Sequence, residues 1–230
     1  MVNRTIFQFL DSVIAYVVEG KDNINEITGE FIKEIENNQD KCKAFISKLE
    51  NIKQFLKIDL AFFMDSDPAI DSEEEVILAY PGFKAITYYR IAHVLHGLGY
   101  LLQARLISEE AHTITGIDIH PGATLACPLF IDHGTGIVIG ETSVVGKNVK
   151  LYQGVTLGAL SLSKGSKMKG VKRHPTIGSN VTIYAGASIL GNINIGNNVT
   201  IGSNVFLTED IPSDTRVTIG KPELIFEKKK

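Results

Sequence analysis

The chain has 230 residues, with 23 Lys and Arg against 26 Asp and Glu, a formal net charge of −3, and 44% hydrophobic and 21% charged residues. This length holds one large domain or two modest ones, in the composition of an ordinary water-soluble protein. The slightly acidic balance supplies no basic field for nucleic acid, and no apolar run is long enough to span a membrane.

From the N-terminus, Ile6, Phe7, Leu10, Val13, Ile14, Val17 and Val18 share one face at helical spacing. Gln8, Asp11 and Ser12 interrupt this run and no small-residue cleavage site follows, so a secretory leader is not expected and the chain reads as cytoplasmic. Helical periodicity continues through Ile27, Phe31, Ile32 and Ile35, then through Phe45, Ile46, Leu49, Ile52, Phe55 and Leu56. A break at "DSDPAIDS" (65–72) precedes two more helices, over about 81–97, opening on Pro81, and about 99–113. Cys42 and Cys127 stand far apart without metal-ligand spacing and read as free thiols of a reducing compartment.

Beyond Gly116 the texture changes to a period of six. The lead residues are Ile119, Leu125, Ile131, Ile139, Val145, Leu151, Ile177, Ile183, Ile189, Ile195, Ile201 and Leu207. Four positions after each comes a small or apolar residue, from Ala123, Leu129 and Thr135 to Val205 and Ile211. Neither a helical nor a simple strand period explains this. A hexad fits if each is a short strand and turn on one side of a triangular prism, with the lead residue inward and three hexads per coil. An antiparallel sandwich would show irregular strand lengths instead.

The hexads fall in three registers, opening at Ile119, Ile139 and Ile177, and the interruption that matters is "GALSLSKGSKMKGVKRHPT" (158–176), which carries Lys164, Lys167, Lys169, Lys172 and Arg173. A prism that ejects such a loop has a use for it, in holding an anion or capping a partner subunit. On the walls, the polar residues that call for a reason are Asp118, His120, Asp132, His133, Glu141, Arg173 and His174. His120, followed by Pro121, fits a hydrogen-bonded turn. Asp118 and His133 can form a carboxylate–imidazole dyad, being fifteen residues apart and so expected on adjacent coils. Zinc is the other use for such histidines, as in the carbonic anhydrases built on similar hexapeptide repeats, but the chain lacks the H-x4-H spacing that a resemblance to them would show, and no metal is expected.

The hexads resemble the left-handed parallel β-helix of the hexapeptide-repeat acyltransferases. "DIHPGATL", "IDHGTGIVIGETSVVG", "GVTLGAL", "RHPTIG" and "YAGASILGNINIG", with the non-repeat segment "DPAIDSEEEVILAYPGFKAITYYRIAH" (67–93), resemble the serine O-acetyltransferases more narrowly, over about Asp67 to Pro222. The resemblance implies an N-terminal α-helical domain (1–115) that serves oligomerisation and lends Asp67 to the site. A left-handed β-helix domain (116–222) with the long loop at about 158–175 follows, then a charged tail (223–230). It implies transfer of acetyl from acetyl-CoA to L-serine, as the first step of cysteine biosynthesis, with feedback inhibition by L-cysteine and assembly as a homotrimer or a dimer of trimers. By resemblance, His133 and Asp118 are catalytic. Asp67, Asp132, Arg173 and His174 bind serine or cysteine, and Gly158, Ala159, Ala185 and Ser203 contact acetyl-CoA, with the loop lysines near its phosphates. Two carboxylates suit an α-ammonium group and an arginine suits an α-carboxylate.

The chain departs from the family in reading Gly158-Ala159 for the usual Gly-Gly, and in ending "GKPELIFEKKK" without the C-terminal Ile that docks into O-acetylserine sulfhydrylase. That complex is therefore not implied. Acyl transfer to a sugar or antibiotic hydroxyl is the alternative enzymatic reading, and it has no need of the 67–93 segment. A non-catalytic β-helical scaffold has no need of Asp118 and His133 together.

Overall fold

The computed structural model describes residues 4–35, 37–160 and 170–220. Among them are six α-helices: α1 (Arg4–Val17), α2 (Ile24–Glu30), α3 (Gln39–Ser66), α4 (Glu73–Ala79), α5 (Pro81–Gly97) and α6 (Leu101–Thr115). Their ends follow the sequence. Asn38 caps α3 by accepting from Asp40 and Lys41 N–H (both 3.1 Å), and Ser72 caps α4, whose first turn is Glu73-Glu74-Glu75. Pro81 opens α5, and Gly116, at φ +69°, closes α6 in the left-handed conformation. No helix among the described residues is long and apolar enough to cross a membrane.

The hexads form a parallel β-helix of about five coils, the left-handed β-helix that the repeat implies. Face one stacks β1 (Asp118–Ile119), β4 (Val138–Ile139), β7 (Thr156–Gly158), β10 (Ser188–Leu190) and β13 (Phe206–Leu207). Face two stacks β2 (Thr124–Leu125), β5 (Val144–Val145), β8 (Thr176–Ile177) and β11 (Asn194–Ile195). Face three stacks β3 (Leu129–Asp132), β6 (Val149–Tyr152), β9 (Thr182–Ile183), β12 (Thr200–Ile201) and β14 (Arg216–Val217). All twelve lead residues are buried. Along the corner between faces two and three, Asn148, Asn180, Asn198 and Asp214 all have positive φ, and their side chains form a ladder of 2.9, 3.1 and 2.9 Å hydrogen bonds. Asn and Asp tolerate that backbone better than other side chains.

One hexad differs from expectation. Asp118 pairs with Val138, twenty residues on, whereas Val138 pairs with Thr156 at the regular eighteen. Two extra residues sit in the corner after Ile131, so Thr135 is exposed and Ile137 takes the inward place predicted for Thr135. The bulged corner is "DHGT".

The helices pack on the first coil through specific bonds. Phe63 of α3 meets Phe130 of β3 edge-on, with ring centroids 4.8 Å apart. Tyr89 Oη of α5 donates to Ala123 O (2.7 Å) and accepts from Leu125 N–H (3.0 Å). Asp59 of α3, fully buried, takes Arg90 Nε and Nη2 of α5 at 2.7 and 2.8 Å and the Leu129 N–H at 2.9 Å. Gly82 lies directly against the Ile131 carbonyl, where a Cβ has no room, so the start of α5 sits flush on β3. Both cysteines are free, Cys42 buried and Cys127 partly so.

Candidate active site

The bulged corner between faces three and one gathers the first group. Asp67 follows α3 and precedes Pro68, which forces it out of the helix into an extended conformation (φ −120°, ψ 111°). Its Oδ1 then accepts the Ala69 N–H and its Oδ2 accepts the Tyr80 hydroxyl, both at 2.9 Å. Tyr80, at the start of α5, is pushed up to about 12 by burial first and then by its bond to Asp67, with the Asp132 charge adding to it. Tyr152, whose Cα is the register partner of Asp132, is also raised by burial and then by Asp132, with a smaller contribution from Asp67. The two carboxylates thus act on the same pair of tyrosines.

His133 stands at the tip of the bulge with φ 55°, an uncommon conformation for a residue with a side chain. Its side chain is 71% exposed, and its Nε2 lies 3.6 Å from Asp132 Oδ2. The adjoining Gly134 (φ 81°) nests against Ile117 and Ile131 with no space for a Cβ. The chain therefore turns back onto the segment that leads into Asp118, and Gly136 N–H bonds Gly116 O at 2.8 Å.

The second group occupies the corner between faces one and two, where the long loop returns. Arg173 Nη2 pairs with Glu141 Oε2, and this bond holds the Glu141 carboxyl below its usual range. His174 is 7% exposed, its ring packed over Gly140 where no Cβ would fit. Thr142 N–H donates to His174 Nδ1 (3.1 Å), which makes Nδ1 an acceptor and the ring neutral. Burial, then the charges of Arg173 and Lys172, push His174 down to about 4. Beneath this pair, His120 Nδ1 accepts the Gly122 N–H (3.0 Å), the turn role expected of it, and the His96 ring lies 6.1 Å away.

The structure brings Asp67, Asp132 and His133 to one corner, and Arg173 and His174 to another. Asp118 lies on face one between them, and the corner that carries His133 stacks on Gly116 and Ile117, the residues that lead into Asp118. Its exposed neighbour in the stack is Val138, and His133 meets Asp132. The expected cofactor residues divide likewise. Gly158 and Ala159 lie at the Arg173 corner, while Ala185, whose carbonyl accepts Asn204 N–H at 2.9 Å, and Ser203 lie farther along the His133 corner. Lys172 Nζ is turned onto the carbonyl oxygens of Thr142 (2.6 Å), His174 (2.5 Å) and Pro175 (3.1 Å). Lys164, Lys167, Lys169 and the tail at 223–230 lie outside the described residues. Sequence reasoning missed Tyr80, Tyr152 and Thr142. A tyrosine thirteen residues beyond Asp67 carries no local signal, and Thr142 reads as an ordinary wall residue.

A three-sided prism of stacked hexads with an acid–imidazole pair at one corner and an Arg–His pair at the next is the frame of a hexapeptide-repeat transferase. The family model for the bacterial transferase hexapeptide (six repeats) matches residues 174–209. The serine acetyltransferase of Bacillus subtilis is 46% identical over 169 residues, covering 74% of this chain and 75% of that protein, and the Helicobacter pylori one is 44% identical, covering 74% and 96%. A crystal structure of serine acetyltransferase isoform 3 from Entamoeba histolytica in complex with cysteine is 40% identical, with a TM-score of 0.77 over 89% of this chain and 72% of that one. The Neisseria gonorrhoeae enzyme in complex with serine is 38% identical, with a TM-score of 0.70 over 80% and 72%. The chain belongs to the serine acetyltransferase family. It spans about half (56%) of the length of the Synechococcus elongatus plasmid relative, which is 48% identical over 179 residues.

Proposed function

We propose that this chain is a serine O-acetyltransferase, moving acetyl from acetyl-CoA to the L-serine hydroxyl to give O-acetyl-L-serine and CoA, and so opening cysteine biosynthesis in the cytoplasm. The observation that carries the reading is the pairing of two carboxylates, Asp67 and Asp132, with an imidazole that a two-residue bulge lifts off the wall. The carboxylates hold the α-ammonium group. His133 takes the Oγ proton as Oγ attacks the thioester carbonyl, the tetrahedral intermediate collapses with loss of CoA thiolate, and His133 returns the proton to sulfur. Asp118 orients the imidazole and stabilises its charged form once the amino acid is bound.

Arg173 and His174 receive the α-carboxylate. Along face one their corner is separated from that of His133 by a strand of about six residues, roughly 20 Å, too far for one serine to touch both. Two copies meeting corner to corner satisfy both ends of the amino acid, so the site is completed across subunits of a homotrimer, with the helices of 1–115 joining trimers in pairs. Acetyl-CoA lies along the same seam, where Gly158, Ala159, Ala185 and Ser203 let its arm approach the backbone. L-cysteine, alike at the α-carbon, competes for the serine groups and inhibits.

Release of CoA thiol from acetyl-CoA with L-serine, L-homoserine, a galactoside or no acceptor tests the reading. Turnover with serine and its loss in His133→Ala are expected. Turnover with the galactoside alone, or an undiminished His133→Ala, refutes it.

A further inference from the structure

The Arg173–His174 pair returns from a long loop, so something must hold it in place. Thr142, one coil below, does so with every polar atom it has. Its Oγ1 accepts the backbone N–H groups of both Arg173 (3.0 Å) and His174 (3.1 Å), which uses both lone pairs. Its hydroxyl proton is then free only for His174 Nδ1, 2.8 Å away, where the Thr142 N–H also donates. Its carbonyl takes Lys172 Nζ, which also binds the carbonyls of His174 and Pro175. Both donors share the single Nδ1 lone pair, an arrangement open only to an Nδ1 that carries no proton.

We propose that Thr142 is the positioning residue of the amino-acid carboxylate site: with Lys172 it clamps the returning loop and sets His174 as a neutral ring protonated at Nε2. The inference rests on the serine-acetylating reading and adds to it the chemical form in which His174 meets the substrate, a hydrogen-bond donor to a carboxylate oxygen. Gly140 belongs to the same device, since a side chain there would strike the Cδ2–Nε2 edge of the ring. Among the described residues, the groups that face the imidazole are Arg173 and Lys172 from the loop, Glu141 and Thr142 from the coil below, and His120 beneath them. Their balance, with burial, keeps the ring uncharged.

The test has two arms on the full-length protein. Histidine nitrogen NMR of the wild type at neutral pH reads the tautomer directly, with Nδ1 expected as an unprotonated acceptor. A protonated Nδ1 overturns the proposal whether or not the protein acetylates serine. In the kinetic arm, Thr142→Val removes two accepted bonds and one donated bond, and KM for serine is expected to rise about tenfold to a hundredfold. KM for acetyl-CoA stays within about twofold, and Thr142→Ser, which keeps the hydroxyl, stays within about threefold of wild type. Lys172→Met raises the serine KM in the same direction and serves if the valine variant does not fold. An unchanged serine KM in the variants, equal damage to both KM values, or no rescue by serine overturns the positioning role. Absence of serine turnover in the wild type itself refutes the functional reading and leaves the tautomer arm standing.

Discussion

Replacing the buried Asp59–Arg90 pair one partner at a time is far more damaging than replacing both. Asp59 has no exposed surface and Arg90 is 5% exposed, and the carboxylate also accepts Leu129 N–H (2.9 Å) and Cys127 Sγ–H (3.4 Å). Burial pushes the Asp59 carboxyl up, and the Arg90 charge opposes that rise. Asp59→Leu strands a guanidinium, about 3–5 kcal/mol, and leaves the Leu129 N–H unpaired, about 1–3 kcal/mol more. Arg90→Met strands the carboxylate, about 3–5 kcal/mol at pH 8 and less at pH 5, because a proton can then neutralise it. The double variant removes both charges and leaves the Leu129 N–H without a partner, about 1–3 kcal/mol, while Cys127 Sγ–H keeps the Phe55 carbonyl (3.3 Å). Denaturant unfolding of the four proteins at one fixed concentration measures the cycle. A double variant as unstable as the sum of the singles refutes the claim that the pair acts as one buried unit tying α3 and α5 to β3.

Three further outcomes are expected. His174 is held near 4, below its ordinary value of 6.5, so the neutral ring stabilises the fold above about pH 6.5 and that contribution, at most about 3 kcal/mol, is lost as pH falls through 6.5 towards 4; a melting-temperature profile that drops over this range in wild type and flattens in His174→Asn checks it. Tyr80→Phe frees Asp67 Oδ2 and raises the serine KM about threefold to tenfold without changing the acetyl-CoA KM, read by steady-state kinetics. Tyr89→Phe leaves the Ala123 carbonyl and the Leu125 N–H without their shared hydroxyl and lowers unfolding free energy by about 1–3 kcal/mol, with kinetics near wild type.

The β-helix was legible because its rule is local: each lead residue repeats its own environment, and all twelve are buried. The bulge was legible only in part: the step of eight from Ile131 to Ile139 marks a change of register, but a count of four from Ile131 put Thr135 inward where the structure puts Ile137. His133 and Asp132 announced themselves as polar residues in an apolar run, and the structure adds that the bulge exposes one while leaving the other 18% exposed. The structural use of Lys172 was not legible, because charge in a loop resembles an anion site and nothing local shows that its ammonium meets three carbonyls. Asp59 and Arg90, thirty-one residues apart on separate helices, have no sequence signature that distinguishes them from solvated charges.

The central claim is that one amino acid is held by His133 of one copy and Arg173 of another. Co-expression of His133→Ala with Arg173→Ala, followed by the CoA-release assay with L-serine on the purified mixed assembly, tests it most directly. Each variant alone is expected to be nearly inactive, while random mixing restores about a quarter of the intersubunit sites with both residues intact. Activity near that level supports a shared site. A mixed assembly as inactive as either variant alone contradicts it.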